Sequence, residues 1–205
     1  MKRQVSFINA IIAIIIMALA FLGLIYSYPF GNFYLLIGGV LSLYILGYDL
    51  KSLIRPLKKK DVFLIIKAIL LSIGLSLIML LIGNLLDQPS AANPITEGLN
   101  WTILLYTIPA LFGEELLVIV MLVILEKILP KTRNGIITAS IISAFIFGAC
   151  HLSTYDWNLW QSIVVIGFTR LPFTYAWYKS DKNLLVNGLS HYLYDNLLFL
   201  ITVLA

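Results

Sequence analysis

Seven apolar runs, most of them near or above the length of a membrane-spanning helix, take up most of the chain. They fall at 7–27, 30–50, 62–86, 101–126, 136–152, 159–178 and 183–203. A spanning helix needs about 20 apolar residues, and only the fifth run is short. Hydrocarbon offers no water to unpaired backbone groups, so such runs fold as helices, and no strand alternation competes. The fold class expected is all-α: a polytopic membrane helical bundle of about seven transmembrane helices. Composition agrees, with 60% apolar and 12% charged residues, where soluble domains carry about a quarter charged. No Pro/Ser-rich linker or repeat divides the chain, so residues 1–205 are read as one transmembrane domain. Met1-Lys2-Arg3 followed by Ala18-Leu19-Ala20 imitates a secretory signal. The apolar run continues to Tyr26, so the segment is expected to be an uncleaved first helix.

Basic residues set the direction. Lys2 and Arg3 precede the first run, and Lys51, Arg55, Lys58, Lys59 and Lys60 follow the second. Lys127, Lys131 and Arg133 follow the fourth, and Lys179 and Lys182 the sixth. The alternate connections, 27–31, 87–100 and 153–158, contain neither Lys nor Arg. The positive-inside bias then puts the N-terminus and every basic loop in the cytoplasm and the C-terminus outside. Trp101, Trp157 and Trp160 fall near outer ends and Trp177 near an inner end, where indole rings favour the interface. The Arg55–Lys60 loop is read as an orientation signal resting on anionic lipid, not as a nucleic-acid site.

Ionisable groups inside such runs are costly and mark function. Lys67 lies close enough to an end to snorkel, and Glu126-Lys127 sit at a helix end. Glu114, Glu115, His151, Arg170, His191 and Asp195 do not. Counted from Trp101, Glu114 is about 20 Å from the outer boundary, hence about 10 Å from the cytoplasmic side. His191, counted from Asn183, is about 12 Å from that side, so the pocket is expected to be reachable from the cytosol. His191 and Asp195, four residues apart, share one helix face, and Asp195 is expected to orient the imidazole. Adjacent Glu114 and Glu115 point about 100° apart and cannot both serve one atom. His151, counted from Ile136, falls about 10 Å too far out to join them unless the fifth helix tilts or begins outside the membrane. Gly113, Gly148 and Ala149 permit close packing, and Cys150 is read as packing. Arg170, followed by Pro172, either pairs with Glu114 or Glu115 or bonds carbonyls freed by the proline.

Three elements in this order, Glu114-Glu115, Phe147-xxx-His151 and His191-xxx-Asp195, resemble the CPBP family of CAAX-prenyl endopeptidases and bacteriocin-processing (Abi) membrane proteins. That family's pattern is EExxxR, FxxxH and HxxxN. The resemblance covers about residues 100–200, the expected protease-like core. Two positions depart from it: Ile119 stands where the first motif has Arg, and Asp195 where the third has Asn, with Asn196 directly after. Arg170 is the only intramembrane substitute for the missing arginine.

The resemblance implies a peptidase that acts through activated water, with Glu114 as general base and His151 sharing the water. His191 and Asp195 would stabilise the oxyanion, supported by Glu115, Asn196, Arg170 and Phe147. No cofactor is expected; the alternative is a divalent metal such as zinc held by Glu114, His151 and His191. The partners expected are a peptide or protein substrate in or near the membrane and the lipid bilayer, with no nucleic acid. The setting expected is a bacterial plasma membrane, in peptide or bacteriocin processing or self-immunity. The competing class is a non-catalytic immunity or binding protein, or a proton-coupled carrier.

Overall fold

The computed structural model describes residues 6–26, 30–88, 90–91, 93–95 and 101–204. Among them are seven α-helices and no strand: α1 (Phe7–Tyr26), α2 (Gly31–Ile45), α3 (Lys59–Leu85), α4 (Trp101–Ile128), α5 (Arg133–Cys150), α6 (Gly167–Lys179) and α7 (Leu184–Leu204). A π-helical segment, Trp160–Ile166, runs directly into α6. Lys2 and Arg3, the first members of the basic pattern, lie outside the described residues.

Local chemistry moves the ends away from the hydropathy limits. Gly47, at φ 71°, follows the end of α2, a left-handed conformation that glycine adopts without strain and that commonly ends a helix. The expected run to residue 50 is cut short there. α3 starts at Lys59 rather than 62 because the Asp61 carboxylate accepts the Lys58 N–H at 2.9 Å. α5 starts at Arg133 rather than 136 because Thr132 Oγ1 accepts the Gly135 N–H at 3.2 Å. Side-chain oxygens at these positions satisfy donors that a helix start leaves unpaired.

Four helices, α1, α3, α4 and α5, are long and apolar enough to cross a membrane. The apolar window of α4 is 56% buried, against 17% for α1 and α3, so α4 is the axis of the bundle. The α1–α2 pair packs on one flank of α4, and α3 packs against α6 and α7 on the other. The core runs along α4 from Leu116 to Val123 and includes Ala13, Met17, Leu35, Leu43 and Trp177. Outward faces stay apolar and exposed, with Ile14, Leu19, Phe63, Leu70 and Leu81 among them. No water-soluble surface carries apolar area on that scale, and the chain is an integral membrane protein built as a helical bundle.

Trp177 departs from its expected interfacial place: it is 1% exposed, inside the α4 core. Trp160 donates to the Met79 carbonyl at 3.2 Å, and a Cβ on Gly83 would come within 2.5 Å of its indole nitrogen. Both indoles have protein partners, and Trp177 is sealed from the surface. Gly113 and Gly148 pack as expected. A Cβ on Gly113 would meet the Leu36 backbone nitrogen at 2.7 Å, and one on Gly148 the Ser162 carbonyl at 2.5 Å.

The basic turns do more than orient the chain. Arg55 donates to the Ser180 and Asp181 carbonyls at 2.9 and 2.5 Å. Asn183 exchanges bonds with the Arg55 backbone, 3.2 and 3.0 Å. Glu126 accepts from Lys182 at 2.8 Å and from the Tyr178 hydroxyl at 2.7 Å. This network ties the α2–α3 turn and the end of α4 to the α6–α7 turn, closing that end of the bundle. Removing the guanidinium leaves two carbonyls without their charged donor, a loss of about 1–3 kcal/mol. Arg55→Ala is therefore expected to lower the unfolding midpoint in detergent clearly, whereas Lys59→Ala, on an exposed side chain, leaves it nearly unchanged.

Candidate active site

Glu115 is fully buried, and its carboxylate collects four donors. Arg170 Nη1 and Nη2 approach its two oxygens at 2.5 and 2.7 Å. His191 Nδ1 donates to Oε1 at 2.8 Å, and the Asn187 amide donates to Oε2. A guanidinium meeting a carboxylate edge-on with two parallel bonds is the strongest form of such a pair. Phe147 lies against the guanidinium, 4.5 Å from its carbon to the ring centroid, which adds a cation–π contact. The alternatives left open for Arg170 thus resolve to Glu115. Ile119, at the motif's arginine position, is 1% exposed in the apolar core; the guanidinium comes from α6 instead.

The 100° turn between neighbours sends Glu114 the other way, into a cavity of about 810 Å³. His191 Nε2 lies 4.0 Å from Glu114 Oε2, so one imidazole bridges the two glutamates through opposite ring nitrogens. Glu115 holds this ring through Nδ1, and Asp195 Oδ2 sits 3.5 Å from Nε2 on the cavity side, so a carboxylate faces each ring nitrogen. Phe173 stacks on the ring with centroids 5.2 Å apart, restricting rotation out of the site.

His151 reaches the cluster, and helix lengths explain how. α5 has 18 residues, about 27 Å, against about 42 Å for the 28 residues of α4. A four-residue turn joins them, so their ends there are level. Glu114 is 14 residues, about 21 Å, up α4 from that turn. The short α5 therefore stops close to the level of Glu114, and His151 at its C-terminus faces the carboxylate. Its Nε2 lies 4.0 Å from Glu114 Oε2. Its Nδ1 bonds the Phe147 carbonyl at 2.9 Å. A carbonyl only accepts, so Nδ1 carries a hydrogen, and Nε2 is the ring nitrogen that faces Glu114.

Two other expectations sort differently. Asn196 donates to the Tyr192 carbonyl in its own helix at 2.7 Å, one step round α7 from the cavity wall that Asp195 lines. Cys150 is half-buried and packs against the α4 core. Asn187 was missed as a site residue. It lies four residues before His191 and eight before Asp195, and this single-face stripe of polar groups at helical spacing was available in the sequence.

The cavity opens towards one end of the bundle. Described lining residues come from Ile73–Leu80 of α3, Ile103–Glu114 of α4, Phe147 and His151 at the end of α5, Gln161–Phe173 and His191–Ile201, with Asn32, Thr154, Tyr155 and residues of the 90–95 stretch. Most sit on the half of the bundle nearer the connections without Lys or Arg, with Phe173 and His191 reaching past the middle of their helices towards the basic α6–α7 turn. The depth count assumed a helix the thickness of the bilayer. α4 is longer, and Glu114 stands at its middle. A smaller cavity of about 410 Å³ shares Glu114, Phe147, His151 and Thr154 and is walled by Phe21, Leu24 and Ile25 of α1. For the metal alternative, both imidazole nitrogens stand 4.0 Å from one Glu114 oxygen. Among the described residues no group of three His, Cys, Asp or Glu side chains is spaced to hold a metal ion.

Fold and site together define a polytopic helical membrane protein in which Glu114, Asp195 and two imidazoles line one cavity. The family model described as type II CAAX prenyl endopeptidase Rce1-like matches residues 96–197, about half of the chain. The chain belongs to this family of CAAX-type proteases, and the matched stretch takes in Glu114, Glu115, Phe147, His151, Arg170, His191 and Asp195. No curated protein and no solved structure matches it.

Breaking one side of a buried ion pair costs about 3–5 kcal/mol because the other charge is stranded. Arg170→Leu is thus expected to destabilise the protein severely, and Arg170→Lys to fall in between for lack of the two-pronged geometry. The double variant Arg170→Leu/Glu115→Gln should recover much of the loss, measured as midpoints in detergent. Equal destabilisation in the single and double variants would show that the pair does not carry this load.

Proposed function

We propose that the protein is an intramembrane endopeptidase in which Glu114 and His151 activate one water. The observation that carries this reading is the pairing of these two groups. His151 Nε2, its ring fixed by the Nδ1–H bond to Phe147, faces a carboxylate oxygen at 4.0 Å. That gap is too long for a direct bond. With the ring neutral, it suits a water that donates one hydrogen to each.

The chemistry follows from that geometry. Glu114 takes a proton as the water oxygen attacks the peptide carbonyl carbon, and the carbonyl oxygen becomes an oxyanion. His191, protonated at Nε2, donates to the oxyanion, with the Glu115 carboxylate at Nδ1 supporting the imidazolium. Collapse of the tetrahedral intermediate breaks the C–N bond, and the proton held by Glu114 passes to the leaving amine. Asp195, beside His191 Nε2, donates a second bond only in its protonated form; asparagine would do so at any pH. Asn196 takes no part.

In this reading the whole chain is one transmembrane domain of seven spans, N-terminus and basic loops in the cytoplasm, in a bacterial plasma membrane. The positive-inside pattern supports the orientation. The substrate is a peptide or membrane-protein segment, processed in peptide or bacteriocin maturation or self-immunity.

The test is purified protein in proteoliposomes against a peptide library. Glu114→Gln and His151→Ala are each expected to lose at least about 10²-fold in rate with protein level and folding intact. Activity unchanged in Glu114→Gln would end the general-base assignment. Chelator is expected to leave the rate unchanged; a loss reversed by zinc would move Glu114, His151 and His191 to metal ligation. Asp195→Asn should retain activity, while Asp195→Ala loses about 10²-fold or more. Loss in both would show that the carboxylate itself is needed.

A further inference from the structure

We infer that the active cavity is entered from the non-cytoplasmic side of the membrane, so the substrate is a peptide segment presented there and not a cytosolic C-terminal tail. This rests on the peptidase reading and on the orientation given with it, and adds the side of access and the class of substrate.

The distribution of cavity walls carries the inference. The walls run from the connections that lack Lys and Arg down to about mid-bundle, Phe173 and His191 being the described lining residues that reach furthest towards the basic turns. On α3 the lining residues are Ile73, Ser76, Leu77 and Leu80, and on α4 Ile103 to Glu114. The rim includes Ser90 and Asn93 from the 87–100 connection and Thr154 from the α5–α6 connection. Glu114, His151 and His191 form the floor. Below it the bundle is filled. The α4 core from Leu116 to Val123 packs with Trp177, and the Arg55–Asn183 and Glu126–Lys182 bonds close the basic end. No described lining residue comes from the turns at 46–58, 129–132 or 180–183. The basic loops define the cytoplasmic face; the mouth is therefore on the other.

The lining chemistry fits an internal peptide segment. Arg170 is the only Lys or Arg among the described lining residues, and Glu115 engages both of its terminal nitrogens. Asn32, Thr107 and Gln161 instead offer neutral donors and acceptors of the kind an extended backbone uses.

Sided cysteine labelling tests the inference independently of catalysis. In a Cys150→Ala background, single cysteines replace Thr107 inside the cavity, Ser90 at the rim and Lys59 on the basic face. Spheroplasts and inside-out vesicles are treated with a small membrane-impermeant methanethiosulfonate. Thr107→Cys and Ser90→Cys are expected to react in spheroplasts, and Lys59→Cys only in inside-out vesicles. Reaction of Thr107→Cys only in inside-out vesicles, in neither preparation, or Lys59→Cys reacting in spheroplasts would each overturn the inference. Labelling does not depend on turnover, so a protein labelled as expected but inactive on every peptide would sink the peptidase reading alone.

Discussion

One buried ion pair, Glu115 with Arg170, holds the site together. Placing a carboxylate at the centre of a bundle is tolerable only with compensation from close range, and this one has it from the guanidinium, the Asn187 amide and the His191 ring. The pair joins α4 to α6, and through Asn187 and His191 it also joins α7. Phe147, stacked on the guanidinium, brings in α5. Three helices are thus joined at one carboxylate, and a fourth through the guanidinium that it holds. The neighbouring Glu114 is left free to face the cavity by the 100° step of the helix.

Division of labour between adjacent glutamates gives the site its polarity. One is dry, charged and wholly bonded. The other has a partly exposed carboxylate, with 16% of its side chain accessible, and two imidazole nitrogens 4.0 Å away. His191 connects the two, its Nδ1 committed to structure and its Nε2 to the chamber. The arginine that the family motif places on the glutamate helix is absent, and α6 supplies one from the opposite wall. Ile119, at the vacated position, extends the apolar core.

The sequence carried most of the architecture. Apolar length located all seven helices, because in lipid the backbone has no alternative, and the errors at their ends trace to capping by Asp61 and Thr132 and to Gly47. Glu114, His151 and His191 were legible because charge is rare in such runs. Three things were not. The partner of Arg170 depends on how α6 faces α4, which no one-dimensional spacing records. The reach of His151 depends on the difference in length between α4 and α5, set partly by a Thr132 cap that hydropathy ignores. The direction of the mouth depends on which half of the bundle is filled, whereas a residue count assigns depth without saying where space remains.

An experimental structure of the protein in lipid nanodiscs, at a resolution that shows ordered water, tests the central claim most directly. Density for a water within hydrogen-bond distance of both Glu114 Oε2 and His151 Nε2, with His191 Nε2 facing the same space, is the expected result. His151 turned towards lipid, or separated from Glu114 by more than the span of a single water, would contradict it.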